Sequence, residues 1–141
     1  MSEPLKFHFD IDGENFTSAG EASVKVKKSL RQLGFPQDII RRVAIAMYEG
    51  EINMVIHASG GYAEVTVYSD RIEIVLCDRG PGIKDVDLAM QAGYSTAPER
   101  IRALGFGAGM GLPNMKANSD TMVIETEIGV GTTITMTVNI A

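Results

Sequence analysis

Several residue types that would place this chain in a familiar class are rare or missing. It has no tryptophan, one cysteine, Cys77, and two histidines. A single cysteine excludes an internal disulfide framework. Its scarcity also fits a reducing compartment, so we expect a cytoplasmic location. One cysteine and two histidines further exclude a conventional structural zinc site.

Long apolar runs and clusters of positive charge are also missing. The longest nearly apolar run, residues 52–58, contains Asn53 and His57 and is far too short to span a bilayer. The first ten residues include charged side chains and no apolar signal segment. Lys and Arg number 13 against 18 Asp and Glu, which gives a net charge of −5. An acidic chain without a basic run is a poor candidate for binding nucleic acid or anionic membranes.

The 141 residues suit one domain, so the range 1–141 is predicted to fold as a unit. Alternation of apolar and polar residues predicts strands over 5–11, 62–69, 71–78, 121–127 and 132–140. Helical spacing predicts helices from a capping box at Ser18–Glu21 to about 33, from Pro36 to about 58, over 85–92, and over 112–119. Helices and hairpins thus come in blocks. This order predicts the α+β class, a two-layer α/β sandwich whose mixed, mostly antiparallel sheet carries helices on one face.

Three polar side chains share one stripe of the long second helix. Glu49, Asn53 and His57 recur at every fourth position, and each step advances about 40° around the helix. Buried polar groups must be hydrogen bonded or functional. An asparagine carbonyl oxygen suits Mg²⁺, and a glutamate can take a proton from an attacking hydroxyl. An amphipathic helix with its polar stripe in solvent explains the same spacing.

Two glycine-bearing segments predict ligand loops. Asp78 ends a predicted strand before Gly80 and Gly82, so its carboxylate can accept an N–H from a base such as adenine while the glycines allow close approach. A plain turn is the alternative. Residues 105–111 have glycine at every second position and lead into a helix at Leu112, whose first N–H groups can meet phosphate oxygens. A flexible surface loop is the alternative there.

The order of these pieces resembles that of the GHKL ATPases, the superfamily of gyrase-type ATPases, histidine kinases and anti-sigma-factor serine kinases. The matching groups are Glu49/Asn53/His57, Asp78/Gly80/Gly82, Gly107/Gly109/Gly111/Leu112 and Gly129/Gly131/Thr132. The sequence has neither a P-loop nor a Rossmann glycine pattern. The resemblance covers nearly the whole chain and implies the GHKL, or Bergerat-type, ATP-binding fold with ATP and Mg²⁺ as cofactors.

Within that superfamily, residues 85–96 look like the stand-alone bacterial serine/threonine kinases of partner-switching systems. A histidine kinase would need a helical hairpin before the first strand, where we expect no room for one, and its catalytic domain generally lacks a glutamate matching Glu49. The resemblance implies an anti-sigma-factor-type serine/threonine protein kinase that phosphorylates a small STAS-type antagonist protein. The alternatives are a nucleotide-gated module that binds a sigma factor or a phosphatase activator without significant kinase activity, and a histidine-kinase-like catalytic subunit. Similar anti-sigma kinases often form homodimers.

The resemblance also implies roles for single residues. Glu49 would act as general base or position the acceptor hydroxyl, and Asn53 would ligate the Mg²⁺ that bridges the ATP phosphates. Asp78 would bond the adenine amino group, and Gly82 and Thr132 would support the base pocket.

The remaining roles concern the phosphates. Gly107, Gly109 and Gly111 would wrap the phosphates, and Arg100 or Arg102 in the lid would reach the γ-phosphate, whose charge a cation stabilises. His57 matches a family position with a structural role.

Two features depart from the family pattern. Gly50 stands where the family usually has alanine, which is predicted to loosen the helix by about 1 kcal/mol. The lid carries an extra stretch, residues 97–106, which the most similar branch often lacks.

Overall fold

The computed structural model describes residues 4–12, 20–57, 60–80, 82–83, 86, 90 and 111–140. Within these ranges the strands are β1 (Leu5–Asp12), β2 (Gly60–Val67), β3 (Arg71–Asp78), β4 (Thr121–Glu127) and β5 (Gly131–Asn139). The helices are α1 (Glu21–Gln32), α2 (Gln37–His57) and α3 (Gly111–Ala117). Each predicted strand is present, and so are three of the predicted helices. Most of the helix predicted over 85–92 lies outside the described residues.

The five described strands form one sheet in the order β1-β2-β3-β5-β4. All four neighbouring pairs are antiparallel, so the sheet is more uniform than the mixed one that the sequence predicts. The reason is that α1 and α2 both lie between β1 and β2. A strand, two helices and a second strand that alternate in direction require three reversals of the chain, so β2 returns beside β1 in the opposite direction. The predicted α+β sandwich is confirmed.

One face of the sheet forms the core with the helices. On β5, Ile134, Met136 and Val138 are buried, and the threonines between them face the other way and are partly exposed. The same alternation in β3 buries Ile72, Ile74 and Leu76. A strand places alternate side chains on opposite faces, so one apolar face is enough to hold a helical layer. No helix in the described ranges is both long and apolar enough to cross a membrane.

A carboxylate from α2 caps the start of α1. Glu51 is only 1% exposed. Its Oε2 accepts hydrogen bonds from the backbone N–H groups of Gly20 at 2.9 Å and Ala22 at 3.3 Å, and its Oε1 accepts one from Ser23 at 2.7 Å. These are first-turn donors that have no partner inside the helix, and a negative charge there also suits the helix dipole.

This cap replaces the one that the sequence predicts. The capping box Ser18–Glu21 is wrong, because α1 begins at Glu21 and its N-cap is Gly20, which makes no side-chain cap bond. Gly20 has φ +96°, a left-handed conformation that favours glycine. The capping group comes from Glu51, which is 28 to 31 positions away in the chain from the residues that it caps.

The cap predicts a stability effect with a definite pH dependence. Burial raises the pKa of the Glu51 carboxyl, although the bonds from Ser23, Gly20 and Ala22 act to lower it. Glu51→Gln should reduce the unfolding free energy by about 1–3 kcal/mol, because a side-chain NH₂ group cannot accept these N–H bonds. A raised folded-state pKa means that the stability Glu51 contributes is fully present below its ordinary value of 4.5 and is lost as pH rises through the raised pKa.

Urea unfolding of both proteins from pH 4 to 8 measures this effect. The loss caused by Glu51→Gln should shrink as pH rises. A loss that grows with pH would show instead that the three N–H bonds outweigh burial.

The long helix approaches the sheet most closely at Gly50. Gly50 is buried, and a Cβ atom built on it would overlap Cδ1 of Leu76 on β3. The helix nevertheless runs through this point without a break. The glycine that departs from the family pattern therefore serves a close contact between helix and sheet, directly beside Glu49.

This contact predicts that Gly50→Ala destabilises the protein. Alanine favours a helix by about 1 kcal/mol, but overpacking a filled core costs about 1–3 kcal/mol. We expect a net loss of about 1 kcal/mol in urea unfolding. Leu76→Val removes the atom that clashes, so the double variant should lose less than the sum of the two single variants. Additive losses, or a gain from Gly50→Ala alone, would contradict the contact.

Candidate nucleotide site

The predicted polar stripe of α2 faces α3. The amide Nδ2 of Asn114 donates to Oε1 of Glu49 at 3.4 Å. A Cβ atom built on Gly111 would lie 3.2 Å from Oδ1 of Asn53. Glu49 and Asn53 are both half-buried, so these two residues do not form a stripe exposed to solvent. His57 ends α2, and its side chain lies outside the described residues.

The chain neighbours of Asn53 are more deeply buried than Asn53 itself. Ile52, Met54 and Val55 are buried, whereas Asn53 is half-buried. Because a helix turns by about 100° per residue, these neighbours point away from the stripe that Asn53 shares with Glu49. The Asn53 amide instead lies against Gly111, the first residue of α3.

Asp78 is fixed at the end of β3 by two backbone donors. Its Oδ1 accepts from the N–H of Gly80 at 2.9 Å and from the N–H of Thr132 at 3.1 Å. Both hydrogen bonds that the structure describes for this side chain fall on Oδ1. The second oxygen, Oδ2, is thus the acceptor available to an incoming N–H group. The ligand loop that the sequence predicts at this position stays a prediction.

Two glycines allow the loop after β3 to lie against the β4–β5 hairpin. A Cβ on Gly131 would overlap the carbonyl oxygen of Asp78, and one on Gly82 would lie 2.7 Å from the carbonyl oxygen of Glu127. Gly82 also has φ +85°. Gly129, by contrast, has nothing within 4 Å of such an atom and serves the turn through its φ of +81°.

The sequence did not single out Thr126, yet it belongs to this part of the site. Its Oγ1 accepts from the N–H of Ile83 at 2.8 Å, and its hydroxyl lies 2.9 Å from that of Thr132. Thr132 is 5% exposed. The register of the last hairpin pairs Thr126 with Thr132, so the strands predicted over 121–127 and 132–140 already contained the signal for this neighbour.

The two halves of the site meet through the contact between α2 and β3. Asp78 lies two residues beyond Leu76 and therefore on the same, helix-facing side of the strand. Glu49 precedes Gly50, the residue that packs on Leu76. The carboxylate of Asp78 and the polar stripe of α2 consequently border the same end of the interface between sheet and helices.

The other predicted site residues fall into two groups. Leu112 begins α3 together with Gly111 and is buried in the hydrophobic core, where it anchors the helix. The lid and phosphate residues Arg100, Arg102, Gly107 and Gly109, like the whole stretch 97–106, lie outside the described residues.

No protein-only metal site is present in the described ranges. They contain no group of three or more His, Cys, Asp or Glu side chains that could hold a metal ion. Asn53 offers one hard oxygen, so an Mg²⁺ ion bound there would take its other ligands from water and phosphate. This donor set fits a cation that arrives with a nucleotide.

Comparison with known proteins identifies the family of the chain. A family model described as the histidine kinase-like ATPase domain matches residues 15–138. An anti-sigma F factor of Clostridium acetobutylicum is 31% identical over 137 residues, covering 94% of this chain and 89% of the relative. The serine/threonine-protein kinase RsbT of Bacillus subtilis is 31% identical over 108 residues, covering 74% of this chain and 75% of the relative.

A solved structure also shares the fold. The RsbU and RsbW domains of a Mycobacterium tuberculosis protein match with a TM-score of 0.62 at 17% identity. The match covers 97% of this chain and 32% of the other, so this chain spans about a third of that protein. The chain belongs to the histidine kinase-like ATPase family. The resemblance to GHKL ATPases, on the side of the anti-sigma kinases, is confirmed.

The geometry of Asp78 predicts a selective effect of Asp78→Asn on nucleotide binding. The asparagine oxygen can keep both backbone bonds, so its NH₂ group replaces Oδ2 and faces the adenine amino group as a second donor. We expect ATP and ADP to bind at least about tenfold more weakly, since one hydrogen bond to a charged group is worth about 1.5–3 kcal/mol. Calorimetric titration measures the affinity.

Asp70→Asn is the matched control, because Asp70 lies in the exposed turn before β3 and its carboxylate pairs with Arg71. This control should bind nucleotide like the wild type, and both variants should keep the wild-type melting temperature within about 3 °C. Unchanged affinity in Asp78→Asn would remove Asp78 from the adenine site.

Proposed function

We propose that this chain is an ATP-dependent serine/threonine protein kinase of a partner-switching system, which transfers the γ-phosphate of Mg-ATP to a hydroxyl group of a small STAS-type antagonist protein. The observation that carries the proposal is the half-buried Glu49, held by Asn114 one helical turn from Asn53. A positioned carboxylate beside a hard amide oxygen is the pair that phosphoryl transfer to a hydroxyl requires.

The proposed step assigns each part of the site one task. Glu49 accepts the proton of the acceptor hydroxyl as its oxygen bonds to the γ-phosphorus, and ADP leaves with the bridging oxygen. Asn53 holds Mg²⁺, which neutralises charge on the phosphates. Arg100 or Arg102 adds a cation at the γ-phosphate, and Gly107, Gly109 and Gly111 approach the phosphates with their backbone.

The adenine end of the proposal rests on Asp78. Its Oδ2 accepts from the adenine amino group while Oδ1 stays bound to backbone N–H groups. Gly80 and Gly82 allow the base to approach the loop, and the Thr126–Thr132 hydroxyl pair closes the pocket behind Asp78.

The partners and setting are part of the same proposal. Relatives named anti-sigma F factor support a sigma factor as a second partner, and a phosphatase activator is the other candidate. We place the activity in the cytoplasm, in a single domain over 1–141 that acts as a homodimer. Neither nucleic acid nor a membrane belongs to the proposed partners, in line with the net charge of −5.

Glu49→Gln tests the proposed base. The variant keeps the size of the side chain and cannot take a proton, so transfer should fall about 10²–10⁴-fold while ATP affinity stays within about twofold, because Glu49 has no proposed contact with ground-state nucleotide. Transfer is measured with γ-labelled ATP and purified STAS-domain proteins of the source organism as acceptors. Glu73→Gln, on the opposite face of β3 from Leu76, is the control and should transfer like the wild type.

The chemistry of the product separates the alternatives. Phosphate on serine or threonine survives acid, whereas phosphohistidine does not. An acid-labile product would favour a histidine-kinase-like subunit. ATP binding without transfer to any acceptor would favour a nucleotide-gated binding module, and wild-type transfer by Glu49→Gln would remove Glu49 from the chemistry.

A further inference from the structure

Asn114 is a polar residue of α3 that the sequence patterns did not single out. It lies in the half-buried interface with α2, where its Nδ2 donates to Oε1 of Glu49 at 3.4 Å. An amide has no pKa in the range of protein function, so its N–H donor is present at every pH.

Core packing and a hydrogen bond within α3 fix the backbone of Asn114. Leu112 and Met115 on either side of it are buried in the core, which fixes how α3 is rotated against α2. The amide of Asn118, one turn later, donates to the carbonyl oxygen of Asn114 at 2.8 Å and holds the helix end. The side chain of Asn114 therefore leaves α3 on the side that meets α2.

The two helices match residue for residue along this interface. Gly111 approaches Asn53, and Asn114 bonds Glu49. Spacings of three on α3 and four on α2 each correspond to one helical turn, and the pairs run in opposite directions. The first turn of α3 thus lies against two of the three polar residues of the α2 stripe, with glycine backbone at Asn53 and a hydrogen-bond donor at Glu49.

We propose that Asn114 is a positioning residue for phosphoryl transfer, which holds one oxygen of Glu49 so that the other points to the acceptor hydroxyl. This inference rests on the proposed function, because it assumes that Glu49 takes the proton. A base that is held in place loses less freedom when the acceptor binds, and a misplacement of about 1 Å can cost about a hundredfold in rate. Asn114 acts through Glu49 and needs no contact with the nucleotide.

Asn114→Asp separates positioning from packing. Aspartate has the same shape as asparagine, but it replaces the donor with an acceptor and sets a second carboxylate against Glu49. If the side chain of Asn114 does not contact Glu49, this variant behaves like the wild type. If Asn114 positions Glu49, the repulsion turns the base away, and Asn114→Asp is more impaired than Asn114→Ala.

The experiment compares kcat and ATP affinity in four variants with the same STAS-domain acceptor. We expect kcat to fall about tenfold in Asn114→Ala and about a hundredfold in Asn114→Asp, with Mg-ATP affinity within about twofold of wild type. Asn114→Gln keeps an N–H donor and should recover most of the loss seen in Asn114→Ala. Asn139→Ala, which removes an exposed amide at the end of β5, is the matched control and should keep the wild-type kcat. Wild-type kcat in Asn114→Asp overturns the inference.

A second measurement needs no acceptor protein. Proton–nitrogen NMR follows the side-chain amides of Asn114 and Asn118 in the wild type and in Glu49→Ala. We expect the Asn114 resonances to move and those of Asn118 to stay. Unmoved Asn114 resonances overturn the inference, whatever the acceptor assay gives. Moved resonances together with wild-type transfer by Glu49→Gln would instead retain the contact and reject the proposed base.

Discussion

The close contact between α2 and β3 is the constraint on which the rest of the structure depends. It is possible because Gly50 has no side chain, so that Leu76 can lie against the helix backbone. Glu49 is the next residue on the helix, and Asp78 is the next helix-facing residue on the strand. A core at crystal-like density transmits small shifts. Any change in this distance therefore moves the carboxylate at one end of the proposed site relative to the carboxylate at the other.

Two carboxylates on α2 each contact a different neighbouring helix. Glu49 and Glu51 are two residues apart, so their side chains diverge by about 200° around the helix axis. Glu51 turns into the protein and caps α1, whereas Glu49 turns towards α3 and meets Asn114. The buried carboxylate of Glu51 accepts its hydrogen bonds from backbone N–H groups at the start of α1, and burial raises its pKa. The half-buried one, Glu49, is the proposed base, so the two carboxylates would divide into a structural and a catalytic acid.

Local sequence patterns were enough to predict the strands and helices. They could not predict features that depend on contacts between residues distant in the chain. The periodicity of two in β5 and of four along α2 predicted those elements and the stripe of Glu49 and Asn53, because both signals depend on near neighbours in the chain. The cap on α1 was predicted wrongly, since the acceptor of its hydrogen bonds, Glu51, is distant in sequence. Asn114 was missed for the same reason. Thr126 could have been found, because a hairpin turn fixes its cross-strand partner.

Gly50 shows why a family preference does not transfer one residue at a time. Taken alone, glycine in place of alanine weakens a helix through the entropy of the unfolded backbone. In the folded chain the missing methyl group is space that Leu76 fills, and burying a leucine contributes more than the helix propensity loses. The two residues therefore form one packing unit, and the unfavourable member persists because of its partner. Gly50 departs from the family pattern because of how α2 packs on β3, and this departure does not indicate a weakened site.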